Sequence, residues 1–227
     1  MNWIDEYLKS MNVVSDTSKY CFDREQIKSA ILGFSDYEPQ GELDVRIAIV
    51  VGHTSTFGGA FSKFIGKNEY KYHTESVTNE LKKLGADIYT HSIWGGYKTR
   101  QNAMANKLNK ENYDIVLELH FNSFNTSTAH GTEALYYVTS SWGKEFAKIF
   151  SDKISVSFRL KNRGAKSVIN SKDRGYWFLQ KQKAVAVILE PFFGSNGGDV
   201  GKVLGKEKEY ARLIIETCKE WFKKKNS

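Results

Sequence analysis

The chain has 227 residues, enough for one domain with a sizeable core, and its 41% hydrophobic and 26% charged residues exclude a disordered or fibrous protein. Lys and Arg number 33 against 26 Asp and Glu, and the resulting +7 favours acidic partners such as nucleic acid, an anionic membrane surface or a bacterial wall without choosing among them. Two distant cysteines, Cys21 and Cys218, exclude a disulfide framework and a thiolate zinc site, leaving at most a single bridge, and no apolar run is long enough to span a membrane.

The opening Met1-Asn-Trp-Ile-Asp-Glu6 has no basic region followed by an apolar one, so synthesis in the cytoplasm without a signal peptide is expected. Trp3, Ile4, Tyr7 and Leu8 share one helical face, and Asp23 with Gln26 reads as a capping box opening a second helix over 24–34. Pro39 and Gly41 mark a linker. Residues 1–42 are therefore expected to form a helical N-terminal extension packed on the core, with a single main domain over 43–227.

That domain begins with the strand Arg46-Ile-Ala-Ile-Val-Val-Gly-His53, which ends on a histidine and runs into a loop holding Gly58 and Gly59. Over 68–84, Tyr70, Thr74, Val77, Leu81 and Leu84 recur at helical spacing with Gly85 as the C-terminal cap, which puts Glu69 in the first turn and His73 on the exposed face. A short strand over 86–90 and a helix over 99–108 lead to the apolar strand Tyr113-Asp-Ile-Val-Leu-Glu-Leu-His120. Residues 131–138 alternate as a strand, and 142–158 form a helix burying Phe146, Ile149, Phe150 and Ile154. Residues 161–180 are basic and read as a substrate wall. The strand Lys183-Ala-Val-Ala-Val-Ile-Leu-Glu190 stops before Pro191, and a last helix over 207–224 buries Tyr210, Leu213, Ile214, Cys218 and Trp221. Alternating strands and helices predict an α/β fold: one domain with a twisted, mostly parallel or mixed sheet flanked by helices.

Three strands thus end on His53, His120 and Glu190, and in open α/β sheets the ligand crevice lies beyond the carboxyl ends of the strands. Two imidazoles and one carboxylate make a three-ligand set for a catalytic zinc with an open fourth position. Glu69, Glu75, Glu80, Glu118 and Glu133 are all within reach as the carboxylate, and Glu69 alone opens a helix directly after the loop that starts at His53.

Gly52-His53, Asn68-Glu69-Tyr70, Leu117-Glu-Leu-His-Phe-Asn122, Gly131-Thr-Glu133 and Ile188-Leu-Glu-Pro-Phe-Phe-Gly-Ser-Asn196 together resemble, in order, the motifs of the zinc-dependent N-acetylmuramoyl-L-alanine amidases of the amidase-3 type, a family that includes phage endolysins. The resemblance covers residues 45–222. It implies that His53, Glu69 and His120 bind Zn²⁺, that Glu190 is the catalytic carboxylate, and that the bond cut joins N-acetylmuramic acid to L-alanine in peptidoglycan. A protein of this kind made in the cytoplasm reaches the wall after release, as a phage or prophage lysin does. One departure stands out: Thr54-Ser-Thr-Phe57 separates His53 from the glycines that usually follow it directly.

Less specific readings are set beside these. Glu190 has Arg163 and Arg174 as candidate structural partners, His91 and His130 carry no assignment, and Tyr176-Trp177 and Phe192-Phe193 are candidate stacking surfaces for sugar or peptide. Two other function classes remain open: a carboxypeptidase-like zinc peptidase, and a non-catalytic basic module binding nucleic acid, for which no motif is present.

Overall fold

Ile47, Ala48, Ile49, Val50 and Val51 are five consecutive buried residues, a pattern that only a strand covered on both faces satisfies. The computed structural model describes residues 45–227 and builds around this strand, β1, a six-stranded sheet in the order β4-β1-β5-β8-β6-β7. The remaining strands are Asp87–Thr90 (β4), Ile115–Leu119 (β5), Thr132–Tyr137 (β6), Asn162–Val168 (β7) and Val185–Glu190 (β8), while Phe61–Ser62 (β2) and Lys67–Asn68 (β3) form a separate small hairpin. The first four strands in the sheet order run parallel; β6 is antiparallel to β8. The helical extension expected over 1–42 lies outside the described residues.

Alternate residues of each strand feed two cores. Ile47, Ile49, Leu117 and Val187 face the helices Glu69–Tyr72 (α1), Thr78–Lys83 (α2), Ser141–Phe158 (α4) and Glu207–Lys225 (α7). Ala48, Val50, Val116 and Ile188 face Tyr97–Leu108 (α3) and Tyr176–Leu179 (α5) on the other side. The inward residues expected for α4 and α7, including Phe146, Phe150, Cys218 and Trp221, are all buried. A short helix not expected from the sequence, Gly197–Val203 (α6), follows β8.

Two expectations are corrected. Part of the basic stretch 161–180 is the edge strand β7, which the sequence hid because Gly164 and alternating exposed polar residues mask a strand paired on one side only. Between α1 and α2 the chain makes a π-turn, His73–Val77, and the buried face is Glu69, Tyr72, His73, Val77, Thr78 and Leu81, with Leu84 exposed. His73 is therefore fully buried, not exposed. It lies four residues before Val77 and eight before Leu81, which places it on the inward side.

Candidate active site

The C-terminal edge of the parallel strands opens into a cleft of about 570 Å³, lined among others by His53, Glu69, His120, Arg174, Trp177 and Glu190. His53 lies two residues past the end of β1, and His120 is the first residue beyond β5, where its backbone N–H donates to Leu189 O on β8 at 3.1 Å. Glu69 opens α1, whose first turn is capped by Asn68 accepting from Lys71 N at 2.9 Å and by loop carbonyls accepting from Glu69 N and Tyr70 N. The intervening Thr54-Ser-Thr-Phe57 closes as a turn, with Thr54 Oγ1 accepting from Phe57 N at 2.9 Å. Gly59 has φ +79°, and a Cβ there would lie 2.6 Å from His53 Nε2 and 2.8 Å from Glu69 Oε1.

The three side chains converge. Glu69 Oε2 lies 3.0 Å from His120 Nδ1 and 3.3 Å from His53 Nε2, and the two imidazoles meet edge to face with centroids 4.8 Å apart. One ligand atom from each residue falls within 4.8 Å of the others. Bonds of 2.0–2.1 Å in a tetrahedron place neighbouring ligand atoms roughly 3.3 Å apart, so these two spacings fit a zinc-sized ion with little rearrangement. Ala60 N and Phe121 N also donate to the Glu69 carboxylate, at 2.9 and 3.2 Å. Burial raises the Glu69 pKa, but the hydrogen bonds from His120 and His53 outweigh it and hold the carboxyl well below its usual range.

Behind His120 lies a feature that the strand-end reading did not reach. Glu118, two residues earlier on β5 and so on the same face, accepts from His120 Nε2 at 3.2 Å through Oε2. Its Oε1 accepts from His91 Nε2 at 3.1 Å and from Gln101 Nε2 at 3.0 Å. This buried carboxylate stays ionised: burial raises its pKa, and the His120 and His91 contacts bring it down to about 2. With Nε2 turned to Glu118, Nδ1 is the ring nitrogen that faces the ligand cluster and the one whose lone pair a bound metal would take. The signal in the sequence was a Glu two residues before a His on one strand face. His73, packed beneath near Phe121, is held neutral by burial, with a pKa of about 3.

Glu190 closes the other side. It is buried, Oε1 lies 3.3 Å from Arg174 Nη2, and Oε2 has no hydrogen-bond partner among the described residues. Burial pushes its pKa up to about 7, with Arg174 and His120 opposing. Across the antiparallel register Glu133 faces Glu190 and is itself held by Arg163 Nε at 2.7 Å and by Asn122 Nδ2 at 2.7 Å. Of the two candidate partners for Glu190, Arg174 is the one in contact, and Arg163 serves Glu133. Phe192 and Phe193 do not form a stacking surface: both are buried, Phe192 stacking on Phe121 at 5.5 Å, because the chain after Pro191 continues parallel to the segment leaving β5, with Asn122 N donating to Phe192 O at 2.8 Å. Trp177 does line the cleft, whereas His130 bonds within its own loop.

A family model described as N-acetylmuramoyl-L-alanine amidase matches residues 47–219. The catalytic domain of the CD27L endolysin targeting Clostridium difficile superposes with a TM-score of 0.62 and 29% identity, over 78% of this chain and 97% of that one. An N-acetylmuramoyl-L-alanine amidase from Clostridium difficile 630 superposes with a TM-score of 0.64 at 18% identity, over 79% and 97% of the two chains. The catalytic domain of CwlV from Bacillus (Paenibacillus) polymyxa var. colistinus does so at 0.63 and 17%, over 79% and 98%. At those lower identities the likeness concerns the fold. No curated protein matches the sequence.

Proposed function

This chain belongs to the amidase-3 family of N-acetylmuramoyl-L-alanine amidases, enzymes of peptidoglycan cleavage, and on that premise we propose that it works through a zinc ion held by His53, Glu69 and His120, with Glu190 moving the proton. The observation that carries the reading is the convergence of two imidazoles and one carboxylate at ligand spacing beside a second, separately buried carboxylate. Zinc, when bound, would polarise the amide carbonyl and bring a water's pKa toward neutrality.

The chain's own residues supply the rest. Glu118 fixes the tautomer and ring plane of His120, so the ligand atom is presented without reorientation. Glu190 Oε2, free of protein donors, takes the proton of the attacking water as the carbon–oxygen bond forms. It then returns that proton to the departing L-alanine nitrogen as the carbon–nitrogen bond breaks. Arg174 steadies the ionised carboxylate from the Oε1 side. A lysin-like role, acting on the wall after release from the cell interior, is supported by the 29% identity with an endolysin domain. Among the described residues no helix is long and apolar enough to cross a membrane.

Digestion of purified peptidoglycan tests the reading. New alanine amino termini should appear without new reducing ends, a chelator should stop their release, and added zinc should restore it. New reducing sugar, or full activity in protein shown by elemental analysis to be free of metal, would overturn it.

A further inference from the structure

The catalytic cleft continues into a second groove of about 370 Å³, and the two share Ser123. Three exposed phenylalanines line this groove: Phe61 is 67% exposed, Phe124 60% and Phe64 41%. Single exposed apolar residues are ordinary, but three around one concavity form a patch that calls for an occupant. The groove is also held in shape. Phe124 N donates to Ser195 Oγ at 3.0 Å and Asn196 Nδ2 to Ser127 O at 2.6 Å, tying two loops together. Phe64 lies so close to Gly197 that a Cβ there would come within 2.8 Å of the ring.

The chemistry of this groove differs from that of the cleft's other end. Its polar lining is neutral, with hydroxyls and amides such as Ser123, Asn125, Thr126 and Ser195, and its one charged side chain, Lys63, has its ammonium 5.1 Å from the Phe64 ring centroid. On the other side of the candidate ligands stand Lys172 and Arg174, with Lys98 4.0 Å above the Trp177 ring. Asp173 stays ionised, its Oδ2 accepting from Ile169 N and Asn170 N, and Arg174 is paired with Glu190, so the cations left for a ligand at this end are Lys172 and Lys98.

Resting on the amidase reading, we propose that the Phe61–Phe64–Phe124 groove binds the glycan side of the substrate and the Lys172 end binds the carboxylates of the stem peptide. The scissile amide joins these two parts. An N-acetylated sugar is uncharged and offers an apolar ring face to an aromatic side chain, with hydroxyl and acetamido groups for the neutral rim. The peptide carries free carboxylates, which the groove leaves largely unpaired and the lysine end satisfies. The two ends therefore fix one direction for the substrate across Glu190.

Two measurements test this on the full chain. In the first, neutral N-acetylglucosamine tetrasaccharide is titrated into the metal-free protein by calorimetry or NMR; Phe61→Ala with Phe124→Ala should weaken binding by ~10-fold or more, the scale of losing exposed aromatic anchors, while Lys172→Ala leaves it unchanged. In the second, zinc-loaded enzyme hydrolyses substrates of constant peptide and increasing sugar length, and substrates whose peptide carboxylates are free or amidated. The double phenylalanine variant should lose the advantage of longer glycans while keeping the preference for free over amidated carboxylate. Lys172→Ala should lose the preference for free over amidated carboxylate. Unchanged tetrasaccharide binding in the double variant overturns the proposal, as does loss of carboxylate preference there instead of in Lys172→Ala. Sugar binding that depends on these phenylalanines in a protein unable to cleave the wall would sink the amidase reading and leave the groove assignment standing.

Discussion

Glu69 and Glu190 face one cleft from opposite sides, both nearly cut off from water, and their surroundings drive them apart. Glu69 sits between two imidazoles and two backbone N–H donors and stays ionised. Glu190 has a single guanidinium, which lies 3.6 Å from Glu133 as well, and its pKa rises to about 7. Burial is common to both, so the number of donors aimed at each carboxylate separates the proposed metal ligand from the proposed proton carrier.

Removing the donor-rich side should do the most damage. Glu69→Gln or His120→Ala should lose the bound zinc and lower amide hydrolysis by ~10³-fold or more, given the several kcal/mol a metal contributes to such a transition state. Elemental analysis and amino-terminus release read this directly. On the other side, Glu190→Gln should keep its zinc and lose roughly 10²–10⁴-fold in kcat, the usual scale for a general acid–base group. The rise of kcat/KM with pH on the acid side should vanish in that variant, because Glu190 must be ionised to accept a proton. Were Glu190→Gln to lose zinc while Glu69→Gln kept it, the two roles would have to be exchanged.

A finer cut goes behind the metal side. Glu118→Gln keeps the shape of the network and removes its charge, so zinc affinity should drop by about 10–100-fold while activity at saturating zinc changes far less. Equal affinities in competition with a fluorescent chelator would show that Glu118 is only a packing group. The smallest effect is on stability. Between its ordinary value of 4.5 and about 7, Glu190 holds a proton in the folded chain that the unfolded chain has released. Stability of the metal-free protein therefore falls as pH rises through that window and stays lower above it. Glu190→Gln should raise the melting temperature by roughly 5 °C at pH 8, and by much less at pH 4. A variant that melts lower at pH 8 would mean that the Arg174 contact outweighs burial.

The same contrast explains what could be read in the sequence. His53, His120 and Glu190 were legible because apolar runs of strand length stop on them, and stopping points of parallel strands gather at one edge. Glu69 needed its place at the head of a helix after the His53 loop, together with the family motifs. The network of Glu118, His91 and Gln101 was not legible as such, since its members come from β5, the end of β4 and α3 and are joined only by sheet order. Glu133 was read as a candidate carboxylate and as part of a motif, but its place opposite Glu190 was not legible. It lies near the start of β6, and because that strand is reversed, its beginning sits where the other strands finish. The aromatic pair Phe192-Phe193 misled because its exposure depends on the chain after Pro191 continuing beside the segment that leaves β5, which pattern alone does not fix.

The π-turn His73–Val77 bears on how this enzyme tolerates changes in length. It takes up one more residue per turn than the helices on either side, so it sets the rotational phase between Glu69 at the head of the helix and Leu81 in the core. Deleting one residue within it would let the segment relax into an unbroken α-helix with that phase kept, whereas inserting one residue into the regular turn of α1 would swing Glu69 by roughly 100° about the axis, away from His53 and His120. The fold, anchored by Val77 and Leu81, has no need to come apart. A clone with one codon added in α1 would yield a folded protein that is out of gear, with its core engaged and Glu69 turned aside, while one lacking a codon in the π-turn would keep the two in step.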